Sequence, residues 1–162
     1  MSTLQRAIEI AVEAHKGQVD KAGAPYLLHP LRVMLRLETD AERIVGVLHD
    51  VVEDCGHLGW TFERLTAEGF SADVLGALRS VTKTEEEQET MDAASNEEER
   101  DLAYWTFVAR AIRNPIGKRV KLADLADNCD LSRIAAPTEK DRNRIARYHR
   151  VIARIRDGAA KG

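Results

Sequence analysis

Residues 40–55 read Asp40-Ala41-Glu42-Arg43-Ile44-Val45-Gly46-Val47-Leu48-His49-Asp50-Val51-Val52-Glu53-Asp54-Cys55. Ala41, Ile44, Val45, Leu48, Val51 and Val52 recur three and four apart, the period of a helix with one apolar face. With Asp40 placed as its cap, the spacing predicts one helix to about Cys55, central and buried. Its far end carries Leu48-His49-Asp50-Val51-Val52-Glu53-Asp54, where His49 shares a row with Glu53 and Asp50 with Asp54. Carboxylates crowded in this way repel one another unless a cation or solvent compensates them. Exposure of Glu53 and Asp54 at a helix end would supply the solvent; burial would require the cation.

The same period recurs on both sides. Leu4, Ala7, Ile8, Ala11, Val12 and His15 follow it, with Ser2 or Thr3 as cap and Gly17 as terminator. Residues 17–28 read as a Gly-rich loop into His29, and Pro30 suits the first position of a short helix through Leu37. Thr61 to Glu68 is a short helix closed by Gly69, and Ser71 opens another to about Val81. Leu102, Trp105, Val108, Ala109 and Ile112 mark a helix ending near Asn114. Asn114-Pro115 opens the next, to about Cys129. The last begins at Thr138, with Asp141 completing a capping-box-like pattern, and turns Ile145, Tyr148, Ile152 and Ile155 inward. No alternating apolar and polar run suggests a sheet. The expected fold class is all-α: a single domain over residues 1–162, a bundle of about seven or eight helices.

With 162 residues, the chain can bury roughly two thirds of its unfolded surface, so folding alone requires neither disulfide nor metal. Any metal site would need a functional reason. The apolar runs are too short to span a membrane, and Met1 to Ala7 lacks a basic stretch followed by an apolar one, so a cytoplasmic location is expected. Cys55 and Cys129 form no CxxC and read as reduced thiols. Nine acids between Glu85 and Asp101 face only Arg100, which predicts a flexible, solvated segment at about 84–100. The remainder is basic, suiting an anionic ligand; the arginines of the last helix alternate with apolar residues, so neither nucleic acid nor membrane is the expected partner.

Two further segments place polar residues at helix starts or faces: Leu27-Leu28-His29-Pro30, and Lys121-Leu122-Ala123-Asp124-Leu125-Ala126-Asp127-Asn128, in which Asp124 and Asn128 lie four apart. Taken alone, the first reads as a capping or surface histidine and the second as a solvated helix face. Two histidines and two carboxylates from separate helices match first-row divalent metals such as Mn²⁺ or Fe²⁺. A structural zinc site would call for more cysteine.

The order His29, His49-Asp50, Asp124 resembles the ligand pattern of HD-domain metal-dependent phosphohydrolases, which are all-helical. Longer blocks are similar to the hydrolase domain of RelA/SpoT alarmone enzymes in its small stand-alone form. They are Ala-His-Lys-Gly-Gln at 14–18, Lys-Ala-Gly-Ala-Pro-Tyr-Leu-Leu-His-Pro at 21–30, Leu-His-Asp-Val-Val-Glu-Asp at 48–54, Val-Thr-Lys at 81–83 and Val-Lys-Leu-Ala-Asp at 120–124. The resemblance covers about residues 4–135. It implies hydrolysis of the 3′-diphosphate of ppGpp or pppGpp to GDP or GTP and pyrophosphate, usually with Mn²⁺. It further implies His29, His49, Asp50 and Asp124 as metal ligands, Glu53 and Asp54 as the catalytic acids, and Lys21, Tyr26 and Asn128 as nucleotide-pocket residues.

Two positions depart from the pattern. Asp20 stands where relatives generally carry arginine, removing a planar cation able to stack on guanine, and Leu131 stands where they tend to carry threonine. Relaxed base preference is therefore expected, with Asp20 weakly repelling the substrate's phosphates. Two alternatives remain open from sequence: a phosphohydrolase acting on another nucleotide or small phosphate, and a metal-containing nucleotide-binding module without turnover.

Overall fold

Side-chain caps set most of the helix starts. Thr3, Thr39, Thr61, Ser71, Thr84, Asn96 and Asn114 each accept a hydrogen bond from the backbone amide three residues on. In a computed structural model that describes residues 1–159, the chain forms ten α-helices: α1 Leu4–Ala14, α2 Leu28–Leu35, α3 Asp40–Leu48, α4 Val51–Cys55, α5 Phe62–Ala67, α6 Ala72–Val81, α7 Glu85–Ala93, α8 Glu97–Ala111, α9 Pro115–Asn128 and α10 Glu139–Ala159. No strand forms among the described residues; a single antiparallel bridge, Val19 to Pro25, closes the loop between α1 and α2. The all-α expectation holds. No helix among the described residues is long and apolar enough to cross a membrane.

The stretch at 40–55 is central, with Val45, Val47, Leu48 and Val51 at 0% exposure. It packs against α1, α2, α6 and α9. It is not one helix. Breaking at His49-Asp50, it divides into α3 and α4. The cause is local: the His49 ring nitrogen Nδ1 lies 2.8 Å from the Gly46 carbonyl, the group an unbroken helix would offer to the amide of Asp50. The cap of α3 is Thr39 rather than Asp40, in a capping box with Glu42. Pro30 lies at the third position of α2, within the first turn, where its missing amide costs nothing.

The acidic stretch carries helix rather than open loop. Thr84 and Glu87 form a capping box at the start of α7, and acids at 85–87 and 97–99 occupy first turns, where the helix dipole favours negative charge. Arg110 donates to both oxygens of Glu87 at 2.7 Å, and Arg147 donates to Glu97 and Asp101 at 2.6 and 2.7 Å. Arginines of α8 and α10 thus balance acids that the sequence shows only as a charge run.

A second apolar cluster joins Tyr104, Phe107 and Val108 of α8 to Leu125 of α9 and to Val151 and Ile155 of α10. Helix α9 belongs to both, giving Val120 and Ala123 to the first cluster and Leu125 to the second. Its polar face is thereby fixed between them. Gly46 leaves room for Leu37, just past α2, since a Cβ there would lie 2.5 Å from the Leu37 Cδ1.

Gly117 plays the same part at the start of α9, where a Cβ would lie 2.8 Å from the Ala111 carbonyl oxygen. Gly117→Ala gains roughly 1 kcal/mol of helix propensity but incurs about 1–3 kcal/mol of overpacking. We expect a net loss of stability, read as a lower urea midpoint at unchanged slope; a raised midpoint would show that the helices separate without cost.

Candidate active site

The break between α3 and α4 carries the site. His49 ends α3 and Asp50 opens α4, so the two side chains leave the helix together instead of on adjacent rows. His29 comes from the first turn of α2, and Asp124 from the polar face of α9. His29, His49 and Asp124 are buried, 7%, 5% and 6% exposed. The His49 Nε2 atom is 3.0 Å from an Asp50 oxygen and 3.7 Å from an Asp124 oxygen. For His29, Nε2 is 3.3 Å from the same Asp124 oxygen and 3.6 Å from Asp50.

Each histidine has one nitrogen already engaged. Nδ1 of His49 meets the Gly46 carbonyl, and Nδ1 of His29 meets a carboxylate oxygen of Asp127, both at 2.8 Å. Both rings therefore present Nε2 to the two carboxylates. His49 Nε2 is buried without a hydrogen-bond partner. A neutral imidazole aims a lone pair from there at two anions, an arrangement that needs positive charge between them. Ligand atoms of His29, His49 and Asp50 all lie within 4.8 Å of one another. The donor set, two imidazoles and two carboxylates, fits a first-row divalent cation.

Protonation in the cluster obeys the same demand. Burial opposes the charged ring of His49, yet Asp50 and Asp124 hold its pKa well above the usual imidazole range; His29 is raised likewise against burial by Asp124 and Asp127. Burial also opposes the Asp124 carboxylate, but Lys121 and the two histidines hold its pKa well below the ordinary range. Lys121 is itself buried and donates to Asp124 at 2.7 Å. The Tyr26 hydroxyl donates to Asp50 at 2.6 Å, and Asn128 donates to both the side chain and the carbonyl of Asp124.

His29, Asp50 and Asp124 line a cavity of about 370 Å³, a volume suited to a small-molecule ligand. Lys21, Lys83, Arg133 and Arg144 bring positive charge to its walls, and Tyr104 and Tyr148 bring aromatic surface. Tyr26 and Asn128 also line it, so all three expected pocket residues are present. Glu53 and Asp54 stand apart from that lining. Glu53 is held in an ion pair by Lys83 and accepts from its amide at 3.1 Å. Asp54 lies one turn after Asp50 and is exposed as a residue; partial desolvation of its carboxyl, with the charges of Asp50 and Glu53 near, pushes its pKa up to about 6.

Asp20 does not face the ligand space as an unpaired charge. One of its oxygens accepts from the amides of Ala22 and Ala24 at 2.8 and 3.0 Å, and the other pairs with Arg133 at 3.6 Å. Sequence reasoning missed Tyr104 of α8, Arg133 of the loop after α9, and Arg144 and Tyr148 of α10, all of which line the cavity. It also missed Asp127, whose one signal was its place three residues after Asp124, on the same helix face.

The family model for the HD domain matches residues 7–152, and the chain belongs to the HD-domain family. Among its relatives, it is 33% identical over 129 residues to a guanosine-3′,5′-bis(diphosphate) 3′-pyrophosphohydrolase of Aquifex aeolicus, covering 77% of this chain and 17% of that one. It is 33% identical over 132 residues to a GTP pyrophosphokinase of Myxococcus xanthus, covering 78% and 16%. The chain thus spans less than a fifth of the length of these curated relatives. In fold it is similar to a metazoan ortholog of SpoT that hydrolyzes ppGpp and plays a role in starvation responses, with a TM-score of 0.71 and 22% identity, over 94% of this chain and 84% of that one.

A cation bound by the folded chain alone stabilises it by about 2.7 kcal/mol at a hundredfold excess over Kd. We expect Mn²⁺ to raise the melting temperature of the metal-stripped protein and His49→Ala to lose that rise. An equal rise in the variant would place the cation elsewhere.

Proposed function

We propose that this chain is a metal-dependent phosphohydrolase that cleaves the 3′-diphosphate of ppGpp and pppGpp, releasing pyrophosphate and leaving GDP or GTP. The observation that supports it most is the convergence of buried His29, His49 and Asp124 with half-buried Asp50, three of which, His29, Asp50 and Asp124, line a cavity with cationic and aromatic walls. That is the chemistry a nucleotide with two diphosphates would meet. The similarity to a guanosine-3′,5′-bis(diphosphate) 3′-pyrophosphohydrolase, and to the metazoan ortholog that hydrolyzes ppGpp, supports the substrate. One HD domain over residues 1–162 would carry the reaction.

His29, His49, Asp50 and Asp124 would hold the metal, with Mn²⁺ the best match to their mixed nitrogen and oxygen donors. Such an ion acidifies water and polarises a phosphoryl oxygen. The chain's own residues do the rest. Tyr26 and Asn128 orient Asp50 and Asp124 through the hydrogen bonds above, while Lys121 balances the charge of Asp124. Lys21, Lys83, Arg133 and Arg144 are placed to draw in and neutralise phosphates. Tyr104 and Tyr148 offer faces for a base or sugar. Glu53 and Asp54 would exchange protons with water and the leaving group. Lys83 touches both Glu53 and the cavity, so a phosphate arriving at Lys83 competes with Glu53 for it.

Base preference has a different physical setting from the one that Asp20 alone suggests. Its carboxylate is engaged by loop amides and Arg133, so it adds little repulsion. Planar cations are present in the cavity as Arg133 and Arg144. A nucleotide substrate and the free thiols of Cys55 and Cys129 suit a cytoplasmic location.

Mn²⁺-loaded protein should convert ppGpp to GDP and pyrophosphate, lose activity to chelator, and regain it with Mn²⁺. Turnover of GTP or dNTPs with ppGpp left intact would reassign the substrate. Glu53→Gln should keep bound metal, measured by isothermal titration, while kcat falls by about 10²–10⁴, the range of a proton-transfer contribution. Unchanged kcat would remove Glu53 from the chemistry.

A further inference from the structure

Helices α2 and α9 meet through two matched pairs of side chains. His29 and Arg32 lie three apart on α2, and Asp124 and Asp127 lie three apart on α9. His29 Nε2 faces Asp124, while its Nδ1 meets Asp127 at 2.8 Å. Asp127 is 1% exposed, more deeply buried than any of the four candidate ligands. Arg32 grips both of its oxygens, Nε to Oδ1 at 2.7 Å and Nη2 to Oδ2 at 3.0 Å. Arg133 reaches its carbonyl at 3.0 Å and Oδ2 at 3.4 Å, and pairs with Asp20 in the first loop.

We infer that Asp127 is a positioning residue for metal binding: it holds the proton of His29 on Nδ1 and so keeps Nε2 bare and aimed at Asp50 and Asp124. A histidine ligand can offer its lone pair only from the nitrogen without a proton, and the acceptor on the opposite nitrogen decides which that is. Asp127 has no other function visible from the cavity, which it does not line. Two arginines offset its buried charge, where an unpaired carboxylate would be costly. This inference rests on reading His29 as a ligand, and it concerns the ring's hydrogen bond rather than the reaction.

The geometry separates this role from a plain ion-pair anchor. At Oδ2 three donors converge, from His29, Arg32 and Arg133, whereas Oδ1 meets one, from Arg32. In Asp127→Asn, the amide oxygen therefore belongs at the Oδ2 position, which preserves an acceptor for His29 while removing the charge that the arginines need. Asp127→Ala removes both.

The test combines nitrogen NMR of the imidazoles with Mn²⁺ titration by calorimetry. The His29 signals are assigned through His29→Gln, and the metal-free wild type is observed at a pH where the ring is neutral. The expected wild-type spectrum shows His29 protonated on Nδ1; a ring protonated on Nε2 overturns the inference without any Asp127 variant needing to fold. Asp127→Ala should shift the proton to Nε2 and weaken Mn²⁺ binding by about 10–100-fold, the usual range for losing such a partner. Asp127→Asn should keep the wild-type proton position and most of the affinity. If Asn and Ala weaken binding equally with the proton position unchanged, Asp127 only anchors the arginines and the inference fails. A wild type that binds no Mn²⁺ would instead refute the proposed metal function, while the proton position still decides the role of Asp127.

Discussion

Two carboxylates, Asp50 and Asp124, share a buried space with two imidazoles, and they can remain ionised there only with positive charge in contact. Much of the surrounding structure meets that requirement. Lys121 is buried beside Asp124, its ammonium lying over the rings of Tyr104 and Phe107 at 5.6 and 5.0 Å. Tyr26 stabilises Asp50 with a hydroxyl rather than a charge, and burial and Asp50 both keep that phenol protonated by raising its pKa. Arg32 and Arg133 do for Asp127 what Lys121 does for Asp124. The remaining demand is at His49 Nε2, 3.0 Å from Asp50 and 3.7 Å from Asp124: a proton meets it in the metal-free ring, whose pKa the two carboxylates raise against burial, and a bound cation would take that proton's place.

Holding such a cluster together takes apolar packing on both sides. Helix α9 lies between the two apolar clusters and presents Lys121, Asp124 and Asp127 along one face. The α3–α4 break places its own polar pair opposite that face. Had the helix run unbroken, His49 and Asp50 would have pointed about 100° apart instead of sharing a site.

Helix periodicity and capping are local signals, and they account for what was legible. Asn114-Pro115 opens α9 as expected, and Thr138 with Asp141 opens α10 through reciprocal hydrogen bonds. The stripe at 41–52 identified the central core segment, and the blocks carrying His29, His49, Asp50 and Asp124 do converge. What escaped depends on partners distant in sequence or on competition within one turn. The break at His49 arises because a ring nitrogen competes for a backbone carbonyl, which periodicity does not register. Helix α7 lacks an apolar stripe; its anchor is Arg110, 23 residues beyond Glu87. Arg32 and Asp127 are 95 residues apart, and Asp20 and Arg133 sit on different loops. Each looked like an ordinary surface charge until the fold paired it.

The metal position is the claim on which the others turn, and crystallography addresses it most directly. Crystals of the protein equilibrated with Mn²⁺ should give one strong anomalous peak within coordination distance of Nε2 of His29 and His49 and of carboxylate oxygens of Asp50 and Asp124. A peak at Glu53 and Asp54 instead, with His49 Nε2 unligated, would contradict the assignment of the buried cluster as the metal centre.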